Sequence, residues 1–220
     1  MQGPSVATPA NARSRRTRTA LLAAARAILE ERGFPDLTMA AVAEHAGVTR
    51  RAVYLHFAGR ADLIGALFDY VAETEGLGAS LQRVRSAPDS LTALDAWARH
   101  EATYHGSIVG VARALEHVGR NDPEAVTWRQ RTAQHQLADC RVLAERLVQE
   151  HHLAPGWTVE TATDMLWALT STEPLERLLV DRSWSPEQYA ERFGRLLRAT
   201  FVGPPAGSTS GCRHSPGSAD

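Results

Sequence analysis

Residues 37–60, LTMAAVAEHAGVTRRAVYLHFAGR, hold two short helical patterns and the break between them. Thr38 stands at the N-cap of a helix that carries Met39, Val42 and Ala43 on one face, and Thr49 caps a second helix over Arg50 to Leu55. A hydroxyl at each N-cap satisfies an orphan backbone N–H. Between them Ala46-Gly47-Val48 interrupts the pattern, and Gly47 can take the positive φ that a sharp turn needs. Two short helices joined by a Gly-containing three-residue turn form a helix-turn-helix, whose second helix is built to enter a DNA major groove. Val42, Val48, Val53 and Phe57 are spaced to close a small core behind the pair. Arg50, Arg51, Tyr54 and His56 are left pointing outward or sideways.

The residue types fit DNA. Arg forks onto guanine or phosphate. Tyr and His usually donate to phosphate oxygens, which sets register and carries no sequence information. The free N–H groups and positive dipole end at a helix start suit a phosphate as well. The candidate DNA contacts are therefore Thr38, Thr49, Arg50, Arg51, Tyr54, His56 and Arg60. For His56 a hydrogen bond to the following helix is the competing expectation.

At these residues the chain resembles the tetracycline-repressor (TetR) family. The resemblance rests on Thr38, Val42-Ala43, Ala46-Gly47-Val48-Thr49, Val53-Tyr54-Leu55-His56-Phe57, Arg60 and Leu63, and on Leu21-Leu22-Ala23-Ala24-Ala25 and Glu31-Arg32-Gly33-Phe34 before them. It covers about residues 15–70. Leu37 stands where the family commonly has Thr, Arg51 where it often has Gly, and Arg60 keeps the phosphate-binding charge of its Lys. The resemblance implies a helical body that holds a small-molecule pocket and dimerises through its last two helices.

Charge is divided along the chain. Residues 1–60 hold nine arginines and four acids, a formal +5; residues 61–220 hold fifteen arginines and twenty-one acids, a formal −6. A basic head on an acidic body is the footprint of a DNA-binding domain attached to a domain with another task. Cys140, in a helical pattern, and Cys212, in a tail, are not expected to pair. The N-terminus shows no charged-then-apolar leader, and no apolar run approaches 18 residues. The expectation is a soluble cytoplasmic protein with no membrane partner.

The expected architecture is all-α: an N-terminal three-helix DNA-binding domain and a C-terminal helical ligand-binding and dimerisation domain. Residues 1–12 read as a disordered tail, 13–60 as the DNA-binding domain, 61–202 as the body with 61–76 as connecting helix, and 203–220 as a second disordered tail. Arg13, Arg15, Arg16 and Arg18 begin helix 1 as either a solvated face or a basic arm over DNA. Gly76, Gly78 and Ser86-Ala87-Pro88-Asp89 mark a head–body boundary. Asn121-Asp122-Pro123 is a start signal for a long helix to about Glu150. Thr158 opens a helix with Val159, Ala162, Met165, Leu166 and Leu169 inward, which Pro174 must interrupt. Ser185-Pro186-Glu187-Gln188 caps a last helix striped by Tyr189, Phe193, Leu196, Leu197 and Phe201. That stripe, with Leu166, is the candidate dimer interface.

Candidates for the ligand pocket are Trp97, His100, Tyr104, His105, His117, Trp128 and Trp167, rings whose polar edges suit ligands of mixed character. A metal site is not expected: His100 and His105, five residues apart, splay around an α-helix, and His151-His152 face different ways. No cofactor is expected. There is no Gly-rich phosphate loop, nucleophile elbow or HExxH. Glu101 with His105, one turn apart, reads as a solvated ion pair. The expected function is a ligand-responsive regulator, a homodimer released from a palindromic double-stranded DNA operator by a small-molecule effector. The alternatives are an all-α enzyme and a constitutive architectural DNA-binding protein.

Overall fold

The computed structural model describes residues 9–112 and 123–204. These are helical, with one isolated bridge between Leu153 and Val202. The head comprises α1 (Pro9–Arg32), α2 (Met39–His45), α3 (Arg50–Tyr54) and α4 (Arg60–Thr74). Leu21, Ala25, Ile28 and Leu29 share one face of α1 and are fully buried. Phe34, Leu37, Val42, Val53, Phe57, Leu63 and Leu67 close over that face. Residues 9–12, expected in a tail, already belong to α1, since Ala10 and Ala12 are strong helix formers.

The body follows as α5 (Leu77–Arg85), α6 (Ser90–His100), α7 (Pro123–Gln149), α8 (Val159–Leu169), α9 (Thr172–Glu176) and α10 (Pro186–Phe201). Between α6 and α7 the chain passes through a π-turn, Glu101–His105. A second π-turn, Arg177–Asp181, continues α9. The boundary expected at 76–89 contains a whole helix. Gly76 takes the left-handed turn at φ 71°, and α5 then buries Ser80 and Val84, which outweighs the poor helix propensity of Gly78.

Helix α6 is the centre of the body core. Leu94, Trp97 and Ala98 share one buried cluster with Cys140, Leu143 and Leu147 of α7, Ala162 and Leu166 of α8, and Tyr189, Phe193, Leu197 and Phe201 of α10. Asp89 caps α6 by accepting from Thr92 N at 2.7 Å. Arg198 anchors α10 to α6 through Asp95, with Nε–Oδ1 at 2.8 Å, and through Leu91 O at 3.1 Å.

This packing corrects the expected dimer interface. Leu166, Tyr189, Phe193, Leu197 and Phe201 are consumed by one chain's own core, because α10 lays its stripe on α6. Of the expected set only Leu196 is exposed, at 47 %. Met165, expected inward, is exposed too. The helical break falls at Thr170-Ser171, ahead of Pro174, which sits in the first turn of α9 where a missing N–H is tolerated. The expected C-terminal tail is held as far as Gly203, whose N–H donates to His152 O at 2.9 Å. Among the described residues no helix is long and apolar enough to cross a membrane.

Candidate nucleic-acid interface and body cavity

The turn between α2 and α3 is fixed by its own chemistry. Thr38 Oγ1 accepts from Ala41 N at 3.1 Å, and Thr49 Oγ1 accepts from Ala52 N at 3.2 Å. Gly47 has φ 66°, which an L side chain rarely adopts, and Val48 N donates back to Ala43 O at 2.9 Å. Val53 is the buried anchor of α3. Arg50 and Arg51 are exposed on its first turn, and Tyr54 is 52 % exposed at its end. Leu55, absent from the expected contacts, stands out further, at 78 %. An exposed Leu beside a recognition helix can touch a thymine methyl or a sugar.

Two arginines of the head are committed inward. Arg60 donates from Nε to Leu37 O at 2.9 Å and from Nη2 to Phe34 O at 3.2 Å, and its guanidinium lies 4.6 Å over the Phe34 ring. Arg60, expected as a phosphate contact, ties the start of α4 to the turn after α1 through Leu37 O and through Phe34 O, which also accepts from Leu37 N at 3.1 Å. Arg18 donates to His56 O at 2.9 Å and covers the Phe57 ring at 4.5 Å. Of the basic arm, Arg18 is thus structural, while Arg13, Arg15 and Arg16 are exposed. His56 itself is half-buried.

Head and body meet along α4. Arg26 of α1 pairs with Glu30 at 2.8 Å and with Glu75 at the end of α4. Val111 from the body is buried in the head's core. Trp128 of α7 stacks on Phe68 of α4, with ring centroids 3.6 Å apart and planes 22° apart.

Trp128 also borders a cavity in the body, of about 260 Å³. Its wall includes His105, Ile108, Gln136, Trp167 and Thr170. Of the seven expected pocket residues, His105, Trp128 and Trp167 stand in this wall. His100 and Tyr104 sit behind His105, their rings stacked at 5.4 Å and 5°. Trp97 is buried against α7 and borders a separate hollow of about 90 Å³. His117 lies outside the described residues. Gln136 on α7 and Thr170 at the C-cap of α8 escape sequence reasoning, since nothing in an isolated polar residue marks it as facing a cavity.

Behind the wall lies a polar cluster. His100 Nδ1 is 2.9 Å from Ser80 Oγ. Burial, with His105 and Arg83 nearby, pulls the His100 pKa down to about 3. Burial pulls His105 down to about 4, so both rings are neutral at pH 7. Burial together with the Glu75 charge pushes Tyr104 up to about 12. Glu101 is buried, not solvated as its spacing from His105 suggests. Burial raises its carboxyl well above the usual range despite a hydrogen bond to Gln136. The expectation that His100 and His105 splay apart also fails, because the π-turn brings their rings to 5.1 Å, edge to face.

Comparison with known proteins agrees with this geometry. Residues 21–67 match the model of the family described as bacterial regulatory proteins, tetR family. The probable HTH-type transcriptional regulator ArpR of Pseudomonas putida is 40 % identical over 78 residues, which is 36 % of this chain and 36 % of that protein. The HTH-type transcriptional regulator TtgR, also of Pseudomonas putida, is 45 % identical over 58 residues, 26 % of this chain and 28 % of that protein. The matched stretches thus span about a third of these relatives. The crystal structure of NalD, the secondary repressor of the MexAB-OprM multidrug efflux pump in Pseudomonas aeruginosa, superposes with a TM-score of 0.66 at 26 % identity. That likeness covers 86 % of this chain and 98 % of NalD.

Proposed function

We propose that the chain, whose residues 21–67 match the model of the tetR family of bacterial regulatory proteins, is a homodimeric repressor released from a palindromic operator by a small molecule. The observation that carries this reading is the Trp128–Phe68 stack. One ring borders the cavity; the other belongs to the helix that carries the head. An occupant that moves Trp128 moves α4, and α4 sets the spacing of the two recognition helices in a dimer. The effector shifts DNA affinity only by its unequal affinity for the two spacings.

Thr38, Thr49, Arg50, Arg51, Tyr54 and His56 are proposed to meet DNA in the cytoplasm, with Arg60 positioning them. The cavity wall is apolar with a few convergent polar groups, which suits a compact aromatic or amphipathic effector. The dimer face falls on α8 and α10, where Met165 and Leu196 are exposed. We assign the body no catalytic role.

The test uses the tryptophans of the wall. A compound that enters the cavity changes Trp128 or Trp167 fluorescence with saturation. It should raise the apparent Kd for operator by about 5–150-fold, and operator should weaken compound binding by the same factor. Trp128→Ala should retain DNA binding and lose the response. A compound that saturates the fluorescence change while operator affinity stays fixed contradicts the reading.

A further inference from the structure

The cluster behind the cavity wall has the composition and spacing of a metal site. In an α-helix of 3.6 residues per turn, residues five apart point about 140° away from each other. A π-turn closes on i→i+5 and brings them one above the other. Over Glu101–His105 the chain takes that geometry. Gly106 directly after it lets the chain pass Leu179, whose Cδ1 would lie 3.0 Å from an added Cβ. One ligand atom from each of His100, Glu101 and His105 then falls within 4.8 Å of the others. A zinc ion bound at about 2.0–2.2 Å holds its ligand atoms roughly 3–3.5 Å apart, so small side-chain rotations complete the site.

A second observation is independent of the spacing. Glu101 is buried, and its Oε1 has no hydrogen-bond partner. A buried polar atom without a partner is costly, and a cation that takes the place of the carboxyl proton gives it one. Ser80 supplies an outer support. Its Oγ meets His100 Nδ1 at 2.9 Å, which fixes the ring and leaves Nε2 for the ion.

We propose that His100, Glu101 and His105 bind one divalent transition-metal ion of the zinc class. Two imidazoles and one carboxylate favour zinc, cobalt or nickel over the all-oxygen sets of calcium and magnesium. His105 borders the cavity, which gives the ion an entry path. It also leaves the remaining position within reach of water or of a donor atom on a cavity ligand. The ion would pin the π-turn at the junction of α6 and the cavity wall. The site stands or falls apart from the DNA-binding reading, because its test uses no DNA.

The probe is Co²⁺, whose visible absorption reports coordination. Untagged full-length protein, stripped with a chelator, should take up one equivalent per chain with the intense bands of a four- or five-coordinate nitrogen–oxygen site. Zn²⁺ should displace it and raise the melting temperature. Glu101→Gln keeps the shape of the side chain and should weaken Co²⁺ binding at least tenfold while far-ultraviolet circular dichroism is unchanged. His105→Ala, which opens the wall, should abolish the bands. His135→Ala with His151→Ala, two exposed histidines elsewhere, should leave them intact. No stoichiometric Co²⁺ uptake by folded wild type overturns the proposal. So does uptake that survives Glu101→Gln and His105→Ala, or that is lost in the His135→Ala, His151→Ala control.

Discussion

The head and the body are both helical, yet they dispose of polar groups in opposite ways. In the head, the helices each give one face to a common core, and the polar residues of α3 stand at the surface. In the body, the helices leave a cavity and hold His100, Glu101 and Tyr104 inside. The body leaves Trp97 Nε1 and Glu101 Oε1 buried without partners, and among the described residues no other side-chain atom is left so. A closed core with an outward polar face suits a rigid reader. A core with a cavity and unsatisfied polar atoms suits an element that changes with an occupant. The contrast teaches where to expect effects on DNA binding alone and where to expect effects on stability and response.

The largest predicted effect lies on the head's outer face. Arg50→Ala, Arg51→Ala and Tyr54→Phe combined should remove sequence-specific DNA binding. Arg50→Ala alone should cost about 1–3 kcal/mol if it reads guanine. Because these side chains are exposed, the melting curve should move by less than about 0.5 kcal/mol. A triple variant that binds operator like wild type would erase the distinction between the regions.

Next comes a pair of neighbours in α10. Leu197→Ala empties a fully buried site and should cost about 2–5 kcal/mol in urea unfolding. Leu196→Ala should cost less than about 0.5 kcal/mol. Leu196→Glu should lower the mass by light scattering without unfolding the chain. If Leu197→Ala proved as mild as Leu196→Ala, the stripe would belong to a partner and not to the core.

The third prediction concerns Arg60. Its loss should destabilise the head by about 1.5–3 kcal/mol, the worth of hydrogen bonds made by a charged donor, less some screening at a half-buried site. The salt slope of DNA binding should stay the same. A phosphate contact would instead lower that slope by about one with stability unchanged.

These pairs also mark what the chain's residues disclose beforehand. Caps at Thr38 and Thr49, the turn at Gly47 and the buried Val53 are local features, so the helix-turn-helix is legible. The inward bonds of Arg60 are not legible, because their acceptors, Leu37 O and Phe34 O, lie more than twenty residues away. In α10 the stripe is legible as apolar, but periodicity does not say whether a chain's own α6 or a second chain covers it. Helix α5 hides behind Gly76 and Gly78, which read as a boundary. The π-turn leaves no local signal, and with it go the closeness of His100 to His105 and the burial of Glu101. The cavity wall shares that fate: Trp128 and Trp167 stand out as rings, while Gln136 and Thr170 carry no mark.

The central claim is that residues 38–56 read operator DNA as a symmetric pair of helices. It is tested most directly by selecting binding sites from random duplex DNA with the purified full-length protein at fixed salt. The account predicts enrichment of a palindrome with half-sites about one helical turn apart. It also predicts that Arg50→Ala relaxes the preference at one position in each half-site. Enrichment of no sequence above the non-specific background, or of the same palindrome with undiminished preference by the Arg50→Ala, Arg51→Ala, Tyr54→Phe variant, would contradict it.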